Sequence, residues 1–402
     1  MLQRADMKAR AGADGGETRP KDRETFELSR TRIENNYQDV VLLLQGGGAL
    51  GSYQAGVVEM LEEAEIGIGW VAGISIGAIN AAIIAGNPPG KRVEKLRGFW
   101  TEITGNIRWP FIPPGDDIRS VYNQVSSYAA LMFGANGFFA PRFPSPEFAP
   151  AGSIGATSYY DTTPLKETLR RYVDFDLIND GPVRLSVGSV NVRSGNFHYF
   201  DSMDRPIRPE HVMASGALPP GFPPIEIENE LYWDGGLVSN TPLQYVFQRM
   251  PKVSTLMLQV DLFSAQGPRP RTIQDVQERA KDIRFSSRTR LNSTVFADFL
   301  KYRKMVGKLI GLLPPEIASL PEVTEIKKES DIPDMNLVHL IYRRKQYDAA
   351  YKDYEFSYNT MVDHWYAGYS TMRRTLRHAD WFLPPDPATG FARHDVHAEA
   401  AD

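Results

Sequence analysis

The sequence contains no cysteine, which excludes disulfide bonds, thiolate metal sites and a cysteine nucleophile. It also lacks a strong net charge: 45 Lys and Arg against 49 Asp and Glu give −4, so no general attraction to nucleic acid is expected. The first thirty residues contain no apolar segment, which argues against a secretory signal and favours a cytoplasmic location. Nothing in the sequence calls for a metal or another cofactor.

Long hydrophobic runs are missing as well. The longest apolar window, residues 70–86, is shorter than the ~20 residues that a membrane-spanning helix needs, and it contains Ser75 and Asn80. A buried strand followed by a buried helix fits this window better. With 402 residues and 42% hydrophobic residues, the chain can form one large domain or two ordinary ones.

The first half of the chain predicts alternating strands and helices. Val40 to Leu44 is an unbroken apolar run, as in a strand covered on both faces. A helical pattern over residues 51–64, a short strand ending near Gly73 and a small-residue helix over 75–85 follow it. This βαβα order predicts an α/β fold with a mainly parallel central sheet.

Composition divides the chain further. Residues 1–38 are polar and predict a flexible arm, and residues 386–402 predict a flexible tail. The main α/β domain is expected over 39–265. Within it, residues 106–160 are rich in proline, glycine and aromatic residues, which predicts either an apolar lid or access wall, or an ordinary packed insertion. Residues 266–385 form an extension of helical pattern.

Ser75 is the first candidate for chemistry. It stands in the sequence Gly73-Ile74-Ser75-Ile76-Gly77, between a predicted strand and a predicted helix. A Gly-x-Ser-x-Gly turn in this context can expose the serine hydroxyl on a strained corner, as a nucleophile requires. The alternative is a serine that merely caps the helix.

A glycine-rich turn precedes it and allows two interpretations. Gly46, Gly48 and Gly51 satisfy a dinucleotide-binding fingerprint after a strand, but that fold needs an acidic residue near the end of the second strand. Residues 66–93 contain no Asp or Glu. The same turn can instead point backbone N–H groups at a developing negative charge, as in an oxyanion hole.

Asp234 follows a predicted strand and precedes Gly235 and Gly236. Such an aspartate is often only a turn residue, although its position at a strand end also suits a catalytic carboxylate. A conventional Ser-His-Asp triad would need a late histidine as base, and His339 and His364 are the candidates. Both lie in apolar periodic segments, which favours buried structural histidines.

Four separated blocks in the right order resemble the patatin-like phospholipase family. They are Gly46-Gly47-Gly48-Ala49-Leu50-Gly51, Gly73-Ile74-Ser75-Ile76-Gly77, Ala214-Ser215-Gly216-Ala217-Leu218-Pro219 and Asp234-Gly235-Gly236. The resemblance spans roughly residues 40–263. Together, four ordered blocks are far more specific than any one of them.

The resemblance implies a three-layer α/β/α fold and hydrolysis of lipid acyl esters by a Ser/Asp dyad without histidine. Ser75 would be the nucleophile, Asp234 its base, and the N–H groups of Gly46 to Ala49 the oxyanion hole. Leu50 stands where the family commonly has Arg or Lys, so any help from that cation in anion binding is absent here. A catalytically silent lipid-binding or scaffold protein is the alternative.

The part after residue 266 resembles the carboxy-terminal extension of a bacterial subgroup of these proteins. Residues 278–308 carry nine Lys or Arg and three Asp or Glu on a helical pattern. This segment predicts peripheral contact with anionic membrane lipids, or else a solvated helix face.

Overall fold

The computed structural model describes residues 20–249, 252–286, 289–345 and 347–396. The helices are α1 (Pro20–Asn36), α2 (Ser52–Glu63), α3 (Ile76–Ala85), α4 (Arg92–Ile103), α5 (Asp116–Phe133), α6 (Thr163–Tyr172), α7 (Phe175–Asp180), α8 (Pro209–Ser215), α9 (Leu243–Gln248), α10 (Ile273–Phe285), α11 (Thr289–Ile310), α12 (Pro315–Ala318), α13 (Pro321–Ser330) and α14 (Tyr358–Thr375). The strands are β1 (Asp39–Leu44), β2 (Trp70–Ile74), β3 (Ala140–Pro141), β4 (Tyr160–Asp161), β5 (Arg184–Asn191), β6 (Phe197–Asp201), β7 (Ile225–Ile227), β8 (Glu230–Asp234), β9 (Thr255–Asp261), β10 (Met335–Ile341) and β11 (Phe391–Asp395).

A nine-stranded, mainly parallel sheet forms the centre of the molecule. Its strand order is β11-β10-β9-β1-β2-β5-β8-β7, with β6 also pairing with β5. The strands from β11 to β5 run parallel, while β6 and β8 run antiparallel to β5. The predicted α/β class with a mainly parallel sheet is confirmed.

Both faces of the sheet are covered, which gives the three layers. Along β1, Leu42 and Leu44 belong to one buried apolar cluster, and Val41 and Leu43 belong to another on the opposite face. All four side chains are fully buried. The unbroken apolar run is therefore explained by period-two alternation between two buried faces.

The window at residues 70–86 folds as β2 and α3, both buried along their length. In the described part of the chain, no helix is long and apolar enough to cross a membrane. The predicted βαβα start is confirmed.

The carboxy-terminal region is largely helical, and it also completes the sheet. β10 pairs with β9, and β11 pairs with β10. The boundary expected near residue 265 therefore does not interrupt the sheet. The flexible tail expected over 386–402 is wrong for Phe391–Asp395, because these residues form the edge strand; residues 397–402 lie outside the described part.

The flexible arm expected over residues 1–38 is wrong for Pro20–Asn36, which form α1. Phe26 and Ile33 are buried in the main apolar cluster, and Ser29 Oγ donates a hydrogen bond to the Leu376 carbonyl at 2.7 Å. The few apolar residues of this polar segment suffice because they dock against the distant end of the chain. Residues 1–19 lie outside the described part.

The insertion at residues 106–160 contains an 18-residue helix, α5, where the composition suggested mainly irregular structure. After it, β3 and β4 pair as a short antiparallel ribbon. This insertion lies beside the site described next.

Candidate active site

Ser75 occupies a strained turn between β2 and α3. Its backbone has φ 56° and ψ −125°, a left-handed conformation that a serine adopts only under constraint. The constraint comes from close packing: a Cβ on Gly73 would lie 2.3 Å from the Gly77 carbonyl oxygen. A Cβ on Gly77 would lie 2.3 Å from the Leu44 carbonyl oxygen. Both flanking glycines are thus required for the turn predicted from the sequence.

The turn is also held by a second serine. The Ser75 N–H donates to Ser215 Oγ at 3.0 Å, and Ser215 Oγ donates to the Gly188 carbonyl at 2.6 Å. Ser215 is fully buried at the end of α8. This explains the third sequence block in physical terms, because its serine ties the nucleophile turn to β5. The sequence identified the block but not this role.

Asp234 lies in the same cavity as Ser75 although the two residues are distant in sequence. It ends β8, where it lies opposite Ser189 of β5, and its N–H donates to the Ala217 carbonyl at 3.0 Å. The carboxylate accepts a hydrogen bond from the Gly236 N–H at 2.7 Å, and the Ser75 side chain lies close enough to favour its charged form. The structure thus brings together the two residues that the sequence proposed as a dyad.

Burial controls the ionisation of this carboxyl group. Asp234 is 2% exposed, and desolvation raises its pKa from the ordinary 3.8 to about 7. The hydrogen bond from the Gly236 N–H and the nearby Ser75 side chain favour the charged form and oppose that rise. A carboxylate with this pKa is a far stronger base than an exposed aspartate, and the titration lies near neutral pH.

The glycine-rich turn after β1 lies directly against the nucleophile. A Cβ on Gly46 would come within 2.9 Å of the Ser75 Cβ. Two of its four N–H groups are already engaged, because Gly46 donates to the Asn240 carbonyl at 3.3 Å and Ala49 donates to the Asp353 carbonyl at 2.7 Å. The N–H groups of Gly46 and Ala49 therefore already have partners in this structure, and the oxyanion role expected for them stays a prediction.

Gly47 and Gly48 remain as donors. Within the described residues, neither of their N–H groups has a hydrogen-bond partner. They open the short 3-10 turn Gly48–Gly51, and Gly48 has φ +54°. Two adjacent free N–H groups beside a serine hydroxyl can bind a developing oxyanion.

The carboxy-terminal region holds this turn in place. The Asp353 carbonyl that accepts from Ala49 lies 2.0 Å from the position of a Cβ on Gly48, so only glycine fits there. Lys281 Nζ donates to the Ala350 carbonyl at 2.9 Å and pairs with the Asp353 carboxylate. Lys281 therefore fixes the segment that fixes the glycine turn.

A second set of polar contacts joins the same parts. Asn240 Nδ2 donates to the Gly46 and Phe285 carbonyls, both at 3.0 Å. The fully buried Gln45 side chain donates to the Phe285 carbonyl at 3.2 Å and accepts from the Leu262 N–H at 2.6 Å. Neither Asn240 nor Lys281 carries a recognisable sequence signal, because each acts through a partner that is distant in sequence.

Ser75 and Asp234 both line a cavity of about 500 Å³, together with the glycine turn, Asn240 and Lys281. Most of its wall is apolar, including residues of the insertion such as Phe138, Phe139 and Tyr160. Lys281 and Asp353 are its other charged lining residues in the described part of the chain. A cavity of this size and character suits an apolar ligand with one reactive polar group.

The two late histidines do not line this cavity. His364 is buried against Tyr342, with ring centroids 5.2 Å apart, and burial lowers its pKa to about 4. His339 is also buried, 3.9 Å from the Asp261 carboxylate. The structure thus places both histidines in the core, away from the serine.

The remaining motif residues are part of the same framework. Gly51 is buried at the end of the glycine turn, and Gly235 packs against β5, where a Cβ would lie 2.6 Å from the Gly188 carbonyl oxygen. Leu50 is fully buried in the main apolar cluster and does not line the cavity. It is a packing residue.

Comparison with known proteins finds two family matches. The family model described as patatin-like phospholipase matches residues 42–247, and a second model, described as patatin phospholipase, matches residues 283–388. The crystal structure of VipD from Legionella pneumophila is similar with 15% identity and a TM-score of 0.35, over 85% of this chain and 67% of that chain, a likeness too weak to carry an argument. Among curated proteins the comparison returns no match. Since the first model alone covers just over half of the sequence, the chain belongs to the patatin-like phospholipase family.

Proposed function

We propose that this chain is a serine lipid acyl hydrolase that uses a Ser75/Asp234 dyad. Ser75 Oγ attacks the ester carbonyl while its proton passes to the Asp234 carboxylate. The Gly47 and Gly48 N–H groups bind the oxyanion of the tetrahedral intermediate. Collapse breaks the ester bond, and Asp234 returns the proton to the leaving alkoxide.

The acyl-enzyme is then hydrolysed by the same groups. Asp234 takes a proton from a water molecule as that water attacks the acyl carbonyl, and the oxyanion again lies against the two glycine N–H groups. Collapse releases the carboxylic acid, and the proton on Asp234 goes back to Ser75 Oγ. One carboxylate thus serves as base and acid in both halves.

One observation carries this proposal. A nearly fully buried carboxyl group, with its pKa raised to about 7, lies beside a serine on a strained turn in the same cavity. An aspartate that served only as a turn residue would gain nothing from such burial. Strain at the serine and desolvation at the aspartate both carry an energetic penalty that a functional site can explain.

The substrate class follows from the cavity and the family. The apolar wall suits an acyl chain, which fits a phospholipase A, lysophospholipase or esterase type of reaction. The polar lining of the cavity includes the dyad, the glycine turn, Asn240 and the Lys281/Asp353 pair. We therefore propose an acyl ester of a lipid as substrate.

Purified variants test the dyad. Ser75→Ala and Asp234→Asn are each expected to abolish hydrolysis of a p-nitrophenyl acyl ester, whereas His339→Ala and His364→Ala retain it. Loss of activity in a folded histidine variant would contradict the dyad. Wild-type protein is expected to form an adduct with a fluorophosphonate at Ser75. Absence of that adduct in folded protein would favour the silent lipid-binding alternative.

Fewer basic residues of the segment 278–308 are available to contact an anionic membrane than the sequence suggested. Arg303 pairs with Glu329 at 2.9 Å and Lys304 with Asp334 at 3.0 Å, while Lys281 and Arg279 bond inside the protein. The side chains of residues 287–293 lie outside the described part. Since internal partners use several of the charges, we propose at most a weak attraction to anionic lipid, through Lys301 and Lys308. Flotation of vesicles with and without anionic lipid tests it.

A further inference from the structure

Helix α5 presents its large apolar side chains to solvent. Val121, Val125, Tyr128 and Met132 are 58%, 48%, 61% and 68% exposed, and Ile118 is 41% exposed. These five residues, which we call the apolar face, follow one another at spacings of three and four. At 100° per residue they fall within an arc of about 80° on one side of the helix.

The opposite side of α5 is polar and points into the protein. Asn123, Ser126 and Ser127 are buried there. Ser126 Oγ accepts from Trp109 Nε1 at 2.7 Å, and Asn123 Oδ1 accepts from Thr360 Oγ1 of α14 at 3.3 Å. Rotating the helix to bury the apolar face would break these bonds, so its orientation is fixed. This is the reverse of an ordinary surface helix.

The apolar face leads to the mouth of the catalytic cavity. Leu131, near the end of α5, lines the cavity, and its carbonyl accepts from Tyr160 Oη at 2.9 Å. The following loop adds exposed apolar side chains, with Phe143 101%, Phe148 81% and Ile154 63% exposed. Exposed apolar surface and cavity wall are therefore built from one segment.

Beyond the first turn of α5, where Asp116 and Asp117 are exposed, this surface carries almost no available charge. Residues 118–160 contain three charged residues, and each has a partner. Arg119 pairs with Asp363 at 2.7 Å, Arg142 lies 3.8 Å from Asp161, and Glu147 accepts a hydrogen bond from Ser145. A charged partner would find nothing complementary here, whereas an uncharged apolar one would.

We infer that the apolar face of α5 docks the protein on a lipid surface and places the cavity mouth against it. The choice of lipid as occupant rests on the proposed function, because the substrate of the cavity resides in such a surface. The apolar side chains enter the boundary between headgroups and acyl chains, and an acyl ester passes into the cavity along Leu131. Because the face is uncharged, docking does not need anionic lipid.

Sedimentation with vesicles of phosphatidylcholine alone tests this inference. Wild-type protein is expected to bind, and the double variant Val125→Glu/Met132→Glu is expected to bind at least about tenfold less, since two charges would have to leave water. Neither residue lines the cavity, so hydrolysis of a water-soluble short-chain ester should stay within about twofold of wild type. Should the double variant fail to fold, Val125→Ser/Met132→Ser replaces it.

A matched control lies on α11, where Val295 and Leu309 are 60% and 62% exposed. Val295→Glu/Leu309→Glu is expected to bind vesicles like wild type. The inference would be overturned if the α5 variant bound vesicles as well as wild type does. It would also be overturned if only the α11 variant lost binding. A wild-type dimer that the α5 variant converts to a monomer would also overturn it, by showing that a second copy covers the face.

The docking and the chemistry can fail separately. Vesicle binding by Ser75→Ala at the wild-type level is expected, because docking does not use the nucleophile. A wild-type protein that binds vesicles through α5 but hydrolyses no ester would keep the docking and refute the proposed function. A protein that hydrolyses the soluble ester but never binds vesicles would refute the docking alone.

Discussion

Ester hydrolysis by this chain is expected to follow the ionisation of Asp234. Lowering the pH protonates the base, whose pKa burial raises to about 7. With that pKa, about one molecule in eleven holds the charged carboxylate at pH 6 and about one in a hundred at pH 5. The value of kcat/KM should therefore fall about tenfold for each pH unit below 7 and level off above 8. An aspartate of ordinary pKa would remain ionised throughout this range.

The assay is hydrolysis of a p-nitrophenyl ester at fixed intervals between pH 5 and 9, with the product read after quenching at one alkaline pH. His364 serves as a control, because burial lowers its pKa to about 4, which cannot produce a limb near 7. His364→Ala should keep both the activity and the limb. A flat profile down to pH 5 would refute the reasoning, as would a limb that disappears in active His339→Ala protein.

The stability of the fold should also depend on the ionisation of Asp234. Catalysis needs the ionised carboxylate, whereas the fold is more stable when this group is protonated. Between its ordinary pKa of 3.8 and about 7, Asp234 is protonated in the folded chain and ionised in the unfolded chain. Raising the pH through this window therefore lowers the free energy of unfolding by about 1.4 kcal/mol per pH unit, until the folded carboxyl ionises too. Asp234→Asn lacks this dependence, so its stability relative to wild type should rise by about 3 kcal/mol from pH 5 to pH 8. Urea unfolding at both pH values measures this, and an unchanged difference would show that Asp234 is not desolvated.

Two further predictions concern the support of the oxyanion turn. Gly48→Ala should lower kcat about a hundredfold, because its Cβ would lie 2.0 Å from the Asp353 carbonyl oxygen. Gly67→Ala is the control and should leave kcat nearly unchanged, because nothing lies within 4 Å of its Cβ. Similar rates in both alanine variants would contradict this role of the turn. Lys281→Met should lower kcat about tenfold with little change in KM, because it releases the segment that contains Asp353. Lys301 lies on the exposed surface, so Lys301→Met should leave kcat and KM unchanged. Recovery of the rate in Lys281→Arg would support a positioning role, and a rise in KM alone would contradict it.

Much of the fold was predictable because its elements depend on short-range patterns. The apolar run of β1, the turn at Ser75 and the proline at the start of α6 each carry a local physical requirement that the sequence displays. The dyad was also predictable, but through the resemblance of ordered motifs. In isolation, Asp234 resembles an ordinary turn residue.

The incorrect expectations share one cause. Residues 20–36 and 391–395 look too polar or too peripheral to order, yet α1 docks on the chain's far end and β11 pairs with β10. Likewise, the sequence pattern of α5 could not show that its apolar side faces solvent, because its polar side is held by contacts such as the one from Thr360 Oγ1 to Asn123 Oδ1. In each case the deciding partner is distant in sequence.

The sequence by itself determined the strands β1 and β2 and the two glycine-containing turns, because close backbone approach at Gly73 and Gly77 allows no other residue. It also supplied Ser75 and, through the family resemblance, Asp234. Only the tertiary structure decided that Gly47 and Gly48 keep N–H groups without a partner among the described residues, whereas those of Gly46 and Ala49 are engaged by the Asn240 and Asp353 carbonyls from distant segments. Only it could raise the pKa of Asp234, since desolvation depends on everything packed around the carboxyl group.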